Sequence, residues 1–314
     1  MILVCGALPD TVLAYTCARL EQMDLDYLFL DELKYPIGYE ISWMYDNGRL
    51  KGYIKSPSRR IELSDITGAY VRHITPNGAA IIPNATEEEA RMIRNEYFHA
   101  LDYMITILPC VVVNKSASQL SNGSKPYQSL LISQSGWRTP KTLVTNIPNE
   151  VKSFFNECEG KIIYKSISGV RSIVQRFKKD DFDKINLVRN CVTQFQEYIE
   201  GYDIRVHTVG NNLFATKMIS EATDYRYASQ EGLSITMEPT KLPAKIEKMC
   251  FKLTRNLGLT MAGIDLRRTL DNQYYCFEVN PSPGYSYYEL GANQPISESL
   301  ARLLSGEELP KKVK

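Results

Sequence analysis

Met261-Ala262-Gly263-Ile264-Asp265-Leu266-Arg267-Arg268, followed by Asp271-Asn272 and then Cys276-Phe277-Glu278-Val279-Asn280-Pro281-Ser282-Pro283-Gly284, is the stretch from which the fold of this chain is read. It holds two strand candidates joined by a short polar turn. Side chains two apart on a strand share a face, so Glu278 and Asn280 point the same way, roughly 7 Å apart along the backbone. A two-residue turn at Asp271-Asn272 sets Leu270 against Gln273 and, counting outward, Asp265 against Glu278. Two carboxylates and an amide then converge. Facing carboxylates repel on a buried sheet unless a cation lies between them, and three hard oxygen donors suit Mg²⁺ shared with phosphate oxygens. On this pattern alone a solvent-exposed hairpin with merely solubilising acids is the competing reading. The rigid loop Asn280 to Gly284 weighs against it, because binding residues are often mounted on such loops.

Working outward, Lys165 ends the apolar run Ile162-Ile163-Tyr164, where a lysine needs an anion or carboxylate unless it guards a sheet edge. A strand pair is expected at Ile162 to Ser166 and Ser172 to Phe177. A helix is expected after Pro126 to near Gly136, a strand at Lys141 to Val144 and a helix at Asn149 to Asn156. Downstream come Gln194 to Ile199, strands at Ile204 to Val209 and Leu213 to Ile219, and a helix from Ala244 to Leu257 closed by Gly258. The first segment reads strand (Met1 to Gly6), helix (Pro9 to Met23, with Val12, Leu13, Cys17 and Leu20 on one face) and strand (Asp26 to Leu30), an open α/β pattern. Asn47-Gly48 marks a hairpin turn. A strand from Ala69 to Ile74 follows, then a helix from about Glu87 with Thr86 and Glu89 as a capping box, and a buried strand from Cys110 to Val113. Asn114 to Ser124 reads as a polar connector and the first domain boundary.

Composition narrows the function classes. Of 314 residues, 37 are basic and 36 acidic, a formal charge of +1, so no field draws nucleic acid or anionic lipid. Seven scattered cysteines fit no disulfide framework or zinc knuckle, and no run of about 20 apolar residues or signal-peptide lead-in appears. The expectation is a cytoplasmic protein with no membrane or nucleic-acid partner. The three histidines, His73, His99 and His207, lie far apart and read as ordinary packing or surface positions.

Cys276 to Gly284, preceded by Gly263-Ile264-Asp265, resembles the metal-binding signature of the ATP-grasp superfamily, to which glutathione synthetase and D-alanine ligation enzymes belong. The likeness extends to ligases that add glutamate to a ribosomal-protein tail and to the microviridin-type (graspetide) peptide ligases. It covers roughly residue 110 to the C-terminus, and the N-terminal third matches only in its α/β character. It implies an α+β / α/β ATP-grasp fold in three parts: an N-terminal α/β domain (1–113), a central subdomain (114–193) and a C-terminal subdomain with the metal site (194–314), the last two clamping ATP. By the same resemblance Asp265, Glu278 and Asn280 hold Mg²⁺ (Mn²⁺ can substitute), and Lys125 and Lys165 contact the ATP phosphates. Glu197, Tyr198 and Ile199 present backbone to adenine, and Asp203 accepts from the ribose. Arg205, Lys217 and Arg226 add positive charge around the γ-phosphate. The phosphate-covering loop departs from the pattern, since Ser166 to Ser172 has one glycine where the family is glycine-rich.

The implied reaction joins a carboxylate to an amine or hydroxyl through an acyl phosphate, releasing ADP and phosphate. The implied substrate is a peptide or amino acid, including a ribosomal precursor peptide, and family members are often dimers or tetramers. A kinase of a small acceptor and a non-catalytic nucleotide- or peptide-binding module are the two competing functions. Tyr285, Tyr287, Tyr288 and Glu289 offer an aromatic, acidic edge for the acceptor, and Tyr70-Val71-Arg72-His73 ends a strand that faces the cleft in one reading.

Overall fold

The computed structural model describes residues 1–35, 37–73, 82–167, 174–219 and 234–308. Strand β1 (Ile2–Gly6) is buried at every position, as a strand covered on both faces must be. Helix α1 (Thr11–Gln22) starts under Asp10, whose carboxylate accepts from the Val12 and Leu13 amides. Strand β2 (Tyr27–Asp31) follows, and β3 (Glu40–Asp46), β4 (Arg49–Lys55) and β5 (Arg60–Glu62) form a small antiparallel sheet. Its first hairpin turns at Asn47 (φ 49°) and Gly48 (φ 77°), the conformation that Asn-Gly adopts readily. Strand β6 (Gly68–Arg72), helix α2 (Glu87–Thr106) with its Thr86/Glu89 capping box, and β7 (Val111–Val113) complete the first region. The four parallel strands run in the order β2-β1-β6-β7.

The expected connector from Asn114 to Ser124 is mostly helical: α3 (Ser116–Gln119) and a 3₁₀ turn (Leu120–Gly123) lead into α4 (Lys125–Gln134). Strand β8 (Thr142–Thr145), helix α5 (Pro148–Glu157), β9 (Ile162–Lys165), β10 (Gln175–Phe177) and β11 (Thr193–Glu197) make an antiparallel sheet in the order β10-β9-β11-β8. A 3₁₀ segment (Lys179–Asn190) that the sequence reading left unassigned bridges β10 and β11. One face of this sheet packs Ile162, Phe177 and Phe195 against Val151, Phe154 and Phe155. Pairing of Ile163 with Gln196 and of Lys165 with Gln194 puts those four side chains on the other face.

The last sheet contains β12 (Tyr202–Val209), β13 (Asn212–Ile219), β14 (Thr236–Thr240), β15 (Met261–Arg268) and β16 (Tyr274–Asn280), in the order β14-β13-β12-β15-β16. Helix α6 (Ala244–Asn256) ends at Gly258, which has φ 68°. Ile204, Val206, Ile264, Leu266 and Val279 bury one face against Leu253 of α6 and Ile132 of α4. Helices α7 (Tyr285–Ala292) and α8 (Ile296–Ser305) follow. Leu300 and Leu304 of α8 join Ile2, Val4 and Leu13 in one core, so the far end of the chain covers a face of the N-terminal sheet.

The decisive hairpin reaches its expected pairing by an unexpected route. Asp265 does oppose Glu278, and Gly263 opposes Asn280. Nearer the turn, however, Arg268 opposes Tyr274, and the Thr269 amide bonds the Gln273 carbonyl. The loop is therefore Leu270-Asp271-Asn272, with Asn272 at φ 64°, not a two-residue turn. A bulge beyond Leu266 then restores the register, since Leu266 pairs with Cys276 while Asp265 pairs with Glu278, leaving Phe277 as the extra residue.

Candidate active site

Strand pairing collects the expected acids on one face of the five-stranded sheet. Arg205 lies opposite Asp265 on β12, Asp203 opposite Arg267 and His207 opposite Gly263. Directly opposed residues share a face, so Asp203, Arg205, Asp265, Glu278 and Asn280 all point away from the apolar core. Arg205 is buried, and its Nη1 lies 2.5 Å from Asp265 Oδ1. Its guanidinium crosses the sheet above Gly263, where an added Cβ would sit 2.1 Å from Nη2. The Arg205 Nε donates to His207 Nε2 at 3.5 Å, and the His207 ring lies 5.0 Å from that of Tyr288. Burial first, then the Arg205 charge, holds the His207 imidazole well below its ordinary pKa, which keeps it neutral.

Asp203 is gripped by Arg267 through Nε and Nη2 at 2.7 and 2.8 Å, and Arg267 Nη1 donates to the Ile199 carbonyl at 3.0 Å. The start of β12 is thus tied to the segment after β11. At the end of β11 the Glu197 amide bonds the Lys141 carbonyl at 2.9 Å, and its carboxylate accepts from the Lys141 amide at 3.2 Å. The Tyr198 amide donates to the Lys161 carbonyl at 2.8 Å, while the Arg176 guanidinium lies 3.7 Å above the Tyr198 ring.

Lys165 ends β9, and Lys125 reaches the residue after it. Lys165 Nζ donates to Gln196 Oε1 at 3.1 Å, and Gln196 Nε2 donates to Thr142 Oγ1 at 3.0 Å. Lys125, in the first turn of α4, reaches the carbonyl and hydroxyl of Ser166 at 3.3 and 3.4 Å. Beside Lys165, the buried Gln194 Oε1 has no hydrogen-bond partner among the described residues. An orphaned acceptor on the face that carries a lysine marks a surface built for a polar ligand.

Lys217 corrects the expectation. It pairs with Ile204, so strand alternation sends it to the core face, where its Nζ lies 4.8 Å from the centre of the Tyr202 ring. It therefore sits on the opposite side of the sheet from Asp265. Arg226, with Asp224 and Tyr225, lies outside the described residues, as does 168–173 of the glycine-poor loop. The aromatic edge is also mostly internal. Tyr285, Tyr288 and Glu289 are buried, with Glu289 bonded to Tyr15, Arg19 and Ser297, and only Tyr287 is exposed.

Two supporting side chains, Gln128 and Asn114, escaped the sequence reading, and a third, Arg72, lies in the strand end it had set facing the cleft. Gln128 on α4 bonds both backbone groups of Val279, between Glu278 and Asn280. Asn114 donates to the Met261 and Pro281 carbonyls and accepts from the Thr260 and Met261 amides. Arg72, at the end of β6, pairs with Asp10 at 2.7 Å and donates to Ser282 Oγ at 2.8 Å, so the N-terminal sheet does abut the loop after Asn280. A buried amide is a weak sequence signal, because its partners are backbone atoms that any residue supplies.

Comparison with known proteins decides the family, for the RimK-like ATP-grasp domain matches residues 124–304. The chain belongs to the RimK-like ATP-grasp family. Among curated relatives, the alpha-aminoadipate–LysW ligase LysX of Sulfurisphaera tokodaii is 24% identical over 233 residues, 71% of this chain and 79% of LysX. The RiPP-associated ATP-grasp ligase of Chryseobacterium gregarium, solved with ADP and a leader and core peptide, superposes with a TM-score of 0.81 at 21% identity, over 98% of this chain and 97% of that one. The macrocyclase MdnC of Microcystis aeruginosa, bound to its precursor peptide MdnA, gives 0.79 at 23% identity, over 98% and 100%. The ATP-grasp fold therefore spans essentially the whole chain, and the protein is an enzyme of the ATP-grasp ligase family.

ATP-grasp ligases bind ATP with Mg²⁺. The donor set here fits that ion: Asp265, Glu278 and Asn280 offer only oxygens, on one face of adjacent strands, as a small hard cation requires. Among the described residues, no helix is long and apolar enough to cross a membrane.

Proposed function

We propose that this enzyme is an ATP-dependent ligase that joins a carboxylate to an amine or hydroxyl of a peptide or amino-acid substrate through an acyl phosphate. The observation that carries the reading is the pairing of Asp265 with Glu278, and of Gly263 with Asn280, on the sheet face that also presents Arg205. Two lysines on separate elements supply the complementary positive charge.

In the first step a carboxylate oxygen of the substrate bonds to the γ-phosphorus of ATP, and the bond to the bridging oxygen breaks, releasing ADP. In the second, an amine or hydroxyl attacks the acyl carbon, the carbon–oxygen bond to phosphate breaks, and the nucleophile loses its proton. Charge neutralisation and alignment are the protein's work in such transfers. Lys125 and Lys165 hold the phosphates, Asp203 accepts from the ribose, and backbone groups of Glu197 to Ile199 meet the adenine. Arg205, locked against Asp265, offers a fixed positive charge beside the transferring group. Bound Mg²⁺ supplies Lewis-acid neutralisation of phosphate charge, with Asp265, Glu278 and Asn280 as its protein ligands.

A peptide substrate is supported by two relatives of the same fold that were solved with peptides bound. The test is mass spectrometry of candidate peptides incubated with ATP and Mg²⁺, with the nucleotide products assayed in parallel. Loss of water from the peptide with matching ADP and phosphate is expected, and AMP with pyrophosphate sinks the mechanism. Hydroxylamine converts an acyl phosphate into a hydroxamate, so a phosphorylated product that yields none would favour a kinase.

A further inference from the structure

A second cluster of metal-ligating side chains lies in the N-terminal sheet, on a different sheet from Asp265. The order β2-β1-β6-β7 means that the chain leaves β1 to one side and later crosses to the other, so a crevice opens at the carboxyl ends of β1 and β6. Three residues from separate strands meet there. Cys5 is the penultimate residue of β1, Glu32 directly follows β2, and His73 directly follows β6. The Glu32 amide bonds the Gly6 carbonyl at 2.9 Å, which turns the Glu32 side chain back over the end of β1.

We propose that Cys5, Glu32 and His73 form a binding site for a thiolate-preferring divalent cation, Zn²⁺ being the best match, independent of the Mg²⁺ site. The Cys5 Sγ lies 3.1 Å from Glu32 Oε1, and His73 Nδ1 bonds the same oxygen. All three donor atoms fall within 4.8 Å of one another. Zinc bonds of about 2.0–2.3 Å place donors roughly 3.3–3.7 Å apart around a tetrahedron, so a modest swing of the imidazole away from Glu32 opens the centre.

The surroundings hold the imidazole in place. His73 turns its other nitrogen, Nε2, to Asp102 Oδ1 at 3.3 Å, and Asp102 is itself fixed by the Ser116 hydroxyl at 2.6 Å. A carboxylate behind one imidazole nitrogen sets the tautomer and leaves the other for the cation, an arrangement common around zinc. Cys5 and Glu32 are buried, and Cys5 packs with Leu3, Leu30, Val71 and Leu101. A sulfur, nitrogen and oxygen donor set excludes Mg²⁺ and Ca²⁺, which take oxygen. Loading deprotonates the thiol and any proton on Nδ1, while the Nε2 proton stays directed at Asp102. A bound ion would cross-link the ends of three strands.

The competing possibility is that His73 bridges Glu32 and Asp102 as an imidazolium and takes no metal. Cobalt(II) separates the two, because thiolate ligation produces an intense near-ultraviolet charge-transfer band. The full-length protein carrying Cys191→Ser, which removes an exposed thiol, is titrated with Co²⁺ and then with Zn²⁺. One equivalent of Co²⁺ is expected to develop the band, and Zn²⁺ to bleach it and raise the Tm. Cys5→Ser should abolish the band, and His73→Gln should weaken Co²⁺ binding at least tenfold. Circular dichroism confirms folding, and Glu32→Gln provides a second reading should Cys5→Ser fail to fold. No band in the folded parent protein, or an unchanged band in Cys5→Ser, overturns the proposal. ATP turnover is not read, so the outcome is independent of the ligase mechanism.

Discussion

Gln128 clasps the peptide unit of Val279: its Nε2 donates to the Val279 carbonyl at 2.8 Å and its Oε1 accepts the Val279 amide at 3.0 Å. The helix that begins with Lys125 is thereby fastened to the strand segment between Glu278 and Asn280. Gln128 is buried, so Gln128→Met leaves two backbone groups without partners, at a cost of about 1–3 kcal/mol each. Chemical denaturation should show a loss of roughly that size, and the Mg²⁺ concentration for half-maximal ATP consumption should rise severalfold. Lost stability with an unchanged Mg²⁺ requirement would make Gln128 purely structural.

Gly263 is required by Arg205 and not by the turn of the chain. Gly263→Ala puts a methyl group where the guanidinium lies, 2.1 Å from Nη2. The far end of a long side chain moves more easily than backbone, so the variant should fold and lose the Arg205 contact with Asp265. Turnover is expected to fall about 100- to 1000-fold, the range for losing one preorganised donor. Retained turnover would show that Arg205 is dispensable.

Lys165 and Lys217 give a matched pair. Lys165 faces Gln194 and Gln196, whereas Lys217 is sent by its pairing with Ile204 to the other side of its sheet. Lys165→Met should depress kcat/KM for ATP by about 100-fold or more, and Lys217→Met by no more than about twofold. Equal losses would overturn the assignment of Lys217 to the core side.

His207 predicts a pH dependence of stability. Its folded-state pKa is well below the ordinary 6.5, because burial and then Arg205 oppose its charge. Below pH 6.5 the unfolded chain takes up a proton that the folded protein refuses, so stability is full above that value and declines as pH falls. The slope from one such group reaches at most about 1.4 kcal/mol per pH unit. Urea titrations at pH 5.5 and 7.5 should show a smaller difference for His207→Gln than for the parent, and identical differences would count against the neutral histidine.

Much of the fold was legible because local chemistry dictated it. Asn47-Gly48 made its turn, Thr86 and Glu89 made their capping box, and the α1 positions Val12, Leu13, Cys17 and Leu20 are all buried. The hairpin shows how a right answer hides wrong steps. A three-residue loop shifts the register by one, and the bulge at Phe277 shifts it back, so Asp265 meets Glu278 as a two-residue turn would have had it. Lys217 failed for the complementary reason: its residue type suited phosphate, but the face it occupies depends on its neighbour Ile204.

By itself the amino-acid order determined most of the elements, the family signature and the kinds of donor on the Asp265 face, since propensity, capping and period-two alternation act between near neighbours. Which side chains meet was decided only by tertiary structure. Cys5 and Glu32 are 27 positions apart, Glu32 and His73 are 41, and Gln128 and Val279 are 151. Contacts over such separations depend on strand order and register, which arise from burying the cores of all the sheets together and leave no mark in any short stretch of sequence.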